Sequence, residues 1–207
     1  MTPSAYPLFI IGLAIAFYWL RVVQKALRAK RRSGRAANFI PREQTGRWNR
    51  WLWMPVVLVW IVHPFYSALV TPRFAWLTPF AIALPLRWLA AGVVVLGVIL
   101  TTFCWKRMGK SWRMGIDPSE KTALVVTGPY AWVRHPIYAL SGLMMLATMA
   151  ALPSPLMLAG GVIHLALLAW EARREERHLA QLHGEGYVRY CLTVGRFVPS
   201  IFHRTAK

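Results

Sequence analysis

The stretch Pro136–Trp170, PIYALSGLMMLATMAALPSPLMLAGGVIHLALLAW, decides the fold. It runs for 35 residues without an Asp, Glu, Lys or Arg, far beyond the ~20 apolar residues that one helix needs to cross a bilayer. Its centre, Leu152-Pro153-Ser154-Pro155, holds two prolines, which lack the N–H that a helix interior requires. The stretch therefore reads as a tight hairpin of two spans. Working outward, Tyr6–Leu20 continued through Val23, then Trp51–Val70 and Leu86–Trp105, are three more apolar runs of span length. The first carries its basic residues after the apolar run, the reverse of a cleaved signal peptide, and is expected to remain as a span. The expected fold is all-α and integral to a membrane, with about five transmembrane helices and a C-terminal helical hairpin.

Composition agrees with this reading. Of the 207 residues 57% are hydrophobic and 15% charged, against about 45–50% and about 25% in soluble domains. The 25 Lys+Arg and 7 Asp+Glu give a net charge of +18, which in a soluble chain would point to nucleic acid. Here the charge follows topology. Ten basic residues lie in 21–50, six in 106–134 and seven after Trp170, leaving only Arg73 and Arg87 elsewhere. In a five-span chain those three segments share one side, which the positive-inside rule makes cytoplasmic, with the N-terminus outside. No nucleic-acid partner is needed to explain them.

All seven acids fall on that same side, so a cytoplasmic site is expected there, in a bacterial-type inner or plasma membrane. Trp48, Trp51, Trp53, Trp105, Trp112, Trp132 and Trp170 lie near the inner helix ends, where an interfacial belt would sit. Residues 24–50 read as a basic loop lying on anionic headgroups. The organisation is one membrane domain over 1–207, with three N-terminal spans in 1–105 and the chemistry in 106–207. Cys104 and Cys191 make neither a disulfide framework nor a thiolate zinc site.

The hairpin also locates a site. With its turn centred on Ser154, His135 lies 19 residues before and Arg173 19 residues after. Arg134-His135-Pro136 and Glu171–Glu176 should then meet at the inner membrane surface. Pro136 suits the first turn of a helix, whose free N–H groups and positive dipole end favour an anion. Glu171, Glu175 and His178 share one helix face at spacings of four and three, with Glu176 turned away by about 100°. The competing reading has these acids neutralise Arg173, Arg174 and Arg177 on a solvated helix. Glu175-x-x-His178 has the spacing of carboxylate di-iron sites, but the second copy and further glutamates are missing, so no metal is expected. His63 and His164 lie inside spans and read as neutral, hydrogen-bonded side chains.

Three segments then form a set: MGKSWRMGID (108–117), LVVTGPYAWVRHPIYAL (124–140) and REERHLAQLHGEGYVRYCLTVGRFVP (174–199). Together they resemble the isoprenylcysteine carboxyl methyltransferase family, part of a wider group that includes the phospholipid N-methyltransferases. The resemblance implies a membrane methyltransferase that uses S-adenosylmethionine and lacks a soluble dinucleotide fold. By motif position it implies Tyr130, Arg134, His135, Pro136, Tyr138, Glu175 and Glu176 as cofactor-binding residues. Arg173 and Arg196 are the candidates for positioning an anionic group of the acceptor. Leu140 stands where many phospholipid methyltransferases have glycine, which tilts the expectation toward the carboxyl branch.

The expected function is carboxyl O-methylation of a prenylcysteine-like, lipophilic substrate, with membrane lipids as surroundings. The competing readings are phospholipid N-methylation, thiol S-methylation, an NADPH-dependent membrane reductase and a basic membrane scaffold.

Overall fold

The computed structural model describes residues 2–33, 43–112, 116 and 123–200. Six α-helices follow in order: α1 Tyr6–Ser33, α2 Gln44–Leu69, α3 Leu84–Met108, α4 Pro136–Ala151, α5 Pro155–His183 and α6 Glu185–Thr193. Among the described residues there is no β-strand, only an isolated bridge between Val133 and Gly195. The protein is an all-α integral membrane protein. Four helices, α1, α2, α3 and α5, are long and apolar enough to cross a membrane. The fifth apolar helix, α4, has 16 residues and so extends about 24 Å, several ångströms less than the ~30 Å hydrocarbon layer.

The outside of the bundle is apolar as well as the inside. Leu13, Phe17, Leu58, Val62, Leu89, Leu96 and Phe103 are exposed, while Ile11, Ile15, Trp60, Val94, Met144 and Met157 are buried. Exposed apolar surface is unfavourable in water but neutral against lipid tails, so helix association must come from close packing. Gly97 of α3 supplies such a contact, since a Cβ there would lie 2.5 Å from Met144 Cγ of α4. Polar pairs add directional ties. Trp60 donates to Thr148 Oγ1 at 2.9 Å and Trp53 donates to His164 Nδ1 at 2.9 Å, joining α2 to α4 and α5.

Because His164 Nδ1 accepts that bond, its Nε2 carries the ring proton and faces Ser141 Oγ at 3.1 Å. His63 Nε2 meets Ser154 Oγ at 2.8 Å. The two intramembrane histidines thus have side-chain partners and knit the bundle.

The hairpin turns at Leu152–Ser154, where Ser154 Oγ accepts from Met157 N–H at 3.2 Å and caps α5. Beyond Trp170, α5 continues without a break to His183, so Glu171, Glu175, Glu176 and His178 stand on one rigid helix. The basic segment expected as a loop over 24–50 is largely helical. Helix α1 continues to Ser33 and α2 begins at Gln44, since Ala, Leu, Lys, Arg and Gln are good helix formers even where they leave the membrane. Residues 34–42, and 113–115 and 117–122 with Asp117 and Glu120, lie outside the described residues.

The close approach at Gly97 gives a stability prediction. Gly97→Ala forces Met144 to move and should cost about 1–3 kcal/mol, read as a lower melting temperature in detergent. Combined with Met144→Ala, the double variant should lose less than the sum of the two single losses. Strict additivity would show that the contact does not limit the packing.

Candidate active site

The polar end of the hairpin is assembled by the chain returning on itself. After the short 3₁₀ turn Gly128–Ala131, residues 133–135 run alongside 194–196. Arg134 N–H donates to Gly195 O at 2.8 Å and His135 N–H to Arg196 O at 3.0 Å. Gly195 has no room for a Cβ, which would run into the Val198 carbonyl. Pro136 then opens α4 directly behind His135, and no side chain caps that N-terminus.

Glu176 is the centre of the charge cluster. Its Oε1 accepts from Arg134 Nε at 3.0 Å, its Oε2 accepts from Arg196 Nη2 at 2.6 Å, and His135 Nε2 is 3.3 Å from Oε1. Arg134 spends its remaining donors on the carbonyls of Cys191, at 3.0 Å, and Val194. The hydrogen bond to Glu176 holds Arg196 above the usual arginine pKa, against some desolvation. This cluster joins the start of α4, the middle of α5 and the segment after α6.

Glu175, one residue earlier, faces a different environment. Tyr138 Oη donates to its Oε1 at 2.6 Å, and His135 Nδ1 lies 3.6 Å from its Oε2. The His135 and Tyr138 rings stack at 5.5 Å with their planes 4° apart. These side chains border a cavity of about 180 Å³. Its polar wall includes His135, Tyr138, Glu171, Glu175 and His178, as the four-and-three spacing on α5 requires. Its other wall is aromatic, with Tyr18, Trp19, Trp53, Trp105 and Trp112.

Tyrosines close the cavity on the α6 side. Burial pushes the Tyr130 and Tyr187 hydroxyls well above the usual tyrosine range and Tyr190 up to about 12, so all three stay protonated at neutral pH. Tyr130 is 6% exposed, and its hydroxyl has no hydrogen-bond partner among the described residues. A buried hydroxyl left without a partner costs roughly 1–3 kcal/mol, so a bound group that pairs with it would recover that cost.

The sequence-derived candidates separate into two groups. Tyr130, Arg134, His135, Pro136, Tyr138 and Glu175 line the cavity. Glu176 and Arg196 stand behind the cavity as an ion pair, and Arg173 is exposed and away from its lining. Arg50, Tyr187 and Tyr190 also border it; the two tyrosines fall within the 174–199 segment that carries the resemblance, whereas Arg50 has no such signal. Trp53, Trp105 and Trp112 are buried against the cavity. An indole's preference for interfaces does not say which side of its helix it occupies.

The model of the phospholipid methyltransferase family matches residues 86–186. The matched stretch spans α3 to the first residues of α6, and so includes Arg134-His135, Tyr138 and Glu175-Glu176 but ends before Arg196. No curated protein matches the chain. The match and the apolar helices together support a membrane methyltransferase, a class that implies S-adenosylmethionine as methyl source and, in these surroundings, lipid or lipophilic substrates.

The two acids should behave differently when neutralised. Glu176→Gln leaves Arg134 and Arg196 without their counter-ion and should cost about 3 kcal/mol, with faster proteolysis of the segment after α6. Glu175→Gln should change the melting temperature little, since Tyr138 can still donate to the amide oxygen. Equal destabilisation by both would show that Glu175 belongs to the structural cluster.

Proposed function

We propose that the chain transfers a methyl group from S-adenosylmethionine to a lipophilic acceptor held in this cavity. The observation that carries the reading is Glu175 and His135 on one wall of a cavity whose other wall is aromatic. The residues present fit the cofactor. Glu175 offers a carboxylate to its amino group or ribose hydroxyls, and the uncapped α4 N-terminus with His135 offers donors to its carboxylate. The unpartnered Tyr130 hydroxyl is a further donor or acceptor, and Pro136 and Tyr138 shape the wall. In this reading Arg134 and Glu176 hold the frame. When bound, the cofactor supplies a methyl on a sulfonium, electrophilic without a metal. The chain's own task is alignment and exclusion of water, which the tyrosines and the aromatic wall serve.

For the acceptor, Leu140 favours carboxyl O-methylation of a prenylcysteine-like compound, and a carboxylate needs no general base. The family match favours N-methylation of a phospholipid amine as the second reading. An ammonium must first lose a proton, and Glu171 and Glu175 are the carboxylates beside the cavity that can take it. We place the basic end of the bundle on the cytoplasmic side by the positive-inside rule, with the N-terminus outside. A polar cofactor then enters from water, and the acceptor from the bilayer.

Calorimetric titration of the detergent-solubilised protein tests the reading. S-adenosylmethionine should bind and NADPH should not, and Glu175→Gln should weaken binding at least about tenfold through loss of a charge-assisted contact. NADPH binding alone would sink the methyltransferase assignment. Unchanged affinity in both Glu175→Gln and His135→Ala would move the cofactor elsewhere. A labelled-methyl assay across prenylcysteine analogues, amine phospholipids and thiols then identifies the acceptor by which product carries label.

A further inference from the structure

Helix α1 lines the cavity with Tyr18, Trp19 and Val22 and then continues toward the basic end of the bundle. One turn past Val22 stands Lys25, with Nζ 5.3 Å from the centre of the Trp112 ring and 5.8 Å from that of Trp105. Both rings are cavity walls. Arg21 and Arg28 lie four residues before and three after Lys25, spacings that put all three cations on one helix face. Like charges so placed repel and destabilise the helix.

The carboxylates of the described ion pairs are committed elsewhere. Glu43 and Glu171 serve Arg174, Glu175 serves His135, Glu176 serves Arg134, His135 and Arg196, and Glu185 serves Arg189. The indole faces attract Lys25 through their quadrupoles but bring no negative charge. An anion seated at this face would relieve the repulsion and meet a cation already pinned at the edge of the cavity.

We propose that Arg21, Lys25 and Arg28 form a subsite for an anionic group carried by the acceptor, distinct from the atom that receives the methyl. A phosphate or a second carboxylate has the required chemistry. The proposal rests on the methyltransferase reading, and it gives the cavity a polarity. Cations stand on its α1–α3 flank and acids on its α5 flank, so a headgroup anchored by its anion on the first presents its remaining polar atoms toward the second. Orientation of the chain in the membrane also calls for basic residues, but that requirement is indifferent to helix face. Lys30, exposed and five residues from Lys25, therefore serves as the control.

The test uses the full chain in a neutral detergent, titrated with short-chain phosphatidic acid, with uncharged diacylglycerol of the same chains, and with inorganic phosphate. Phosphatidic acid should bind saturably, and Lys25→Gln should weaken it about tenfold, the scale of one charge-assisted contact. Lys25→Arg and Lys30→Gln should retain the affinity, and S-adenosylmethionine should bind Lys25→Gln as it binds the parent. In a methyl-transfer assay, phosphatidic acid should compete with the acceptor and not with S-adenosylmethionine. Equal weakening by Lys30→Gln, equal binding of diacylglycerol, inorganic phosphate binding as tightly as the lipid, or competition against the cofactor would each overturn the subsite. Failure of the parent protein to bind S-adenosylmethionine would instead remove the methyltransferase reading, and leaves the lipid titration to stand or fall by itself.

Discussion

The carboxylate of Glu176 is the constraint on which the polar end of this protein depends. It receives Arg134, Arg196 and His135 together, and through them ties two separate stretches of chain, 134–135 and 196, to α5. Removing water from so many charges is costly, and the cluster is tolerable only because each charge has a near partner. Once it is formed, the R-H-P segment has a fixed height on α5 and the tail after α6 a fixed return path. The 2.8 and 3.0 Å backbone hydrogen bonds from Arg134 and His135 to 195–196 then follow as a short parallel pairing. Arg134, with donors also on the Cys191 and Val194 carbonyls, is consumed by this task.

A second buried cluster fixes α2. Asn49 Nδ2 donates to Glu171 Oε2 at 2.9 Å, Arg174 Nη1 donates to the same oxygen at 2.7 Å, and Arg174 also pairs with Glu43. The guanidinium lies 4.8 Å from the centre of the Trp170 ring. In a lipid solvent, where apolar faces give helices little reason to associate, such ties and the glycine contacts must hold the bundle. Both clusters sit on the same few turns of α5, so the helix that bears the cavity acids is tied to its neighbours by both. A catalytic constellation benefits from that arrangement, because small misplacements of aligned groups cost rate steeply.

Much of this was legible in the sequence, for reasons that can be stated. The Pro153–Pro155 break and the charge-free length on either side force a hairpin, and a hairpin forces its two ends together. The meeting point was offset, however. Equal spacing from Ser154 pairs His135 with Arg173, whereas His135 meets Glu175 and Glu176, two and three residues further along α5. Leu152 and Pro153 lie outside both helices, and His135 is itself non-helical, so the α4 arm covers its distance in fewer helical residues. Helical periodicity recovered the face shared by Glu171, Glu175 and His178. It did not reveal the inward turn of Trp53, Trp105 and Trp112, nor the return of 194–196, because these depend on contacts between distant segments. The exposure of Arg173 has the same origin: charge alone does not say which face of a helix a cavity will adjoin.

Adjacent acids on a helix point about 100° apart, and that angle has a consequence for the glutamate pair. Two neighbours cannot both address one ligand from the same side, so a Glu-Glu dipeptide on α5 is suited to two tasks. Here Glu176 turns to the basic residues of the tail and Glu175 to the cavity, with His135 between them, 3.3 Å from one and 3.6 Å from the other. The imidazole thereby transmits position: its placement against the ion cluster sets the stacked Tyr138 ring, whose hydroxyl in turn holds Glu175 at 2.6 Å. A disturbance of the tail's ion pairs should therefore reach the cavity acid through His135 and Tyr138, even though the Arg196 side chain pairs with Glu176 and not with Glu175. The short motif R-H-P-x-Y and the acid pair are a single mechanical unit, built across a hairpin whose turn lies at the far side of the bundle.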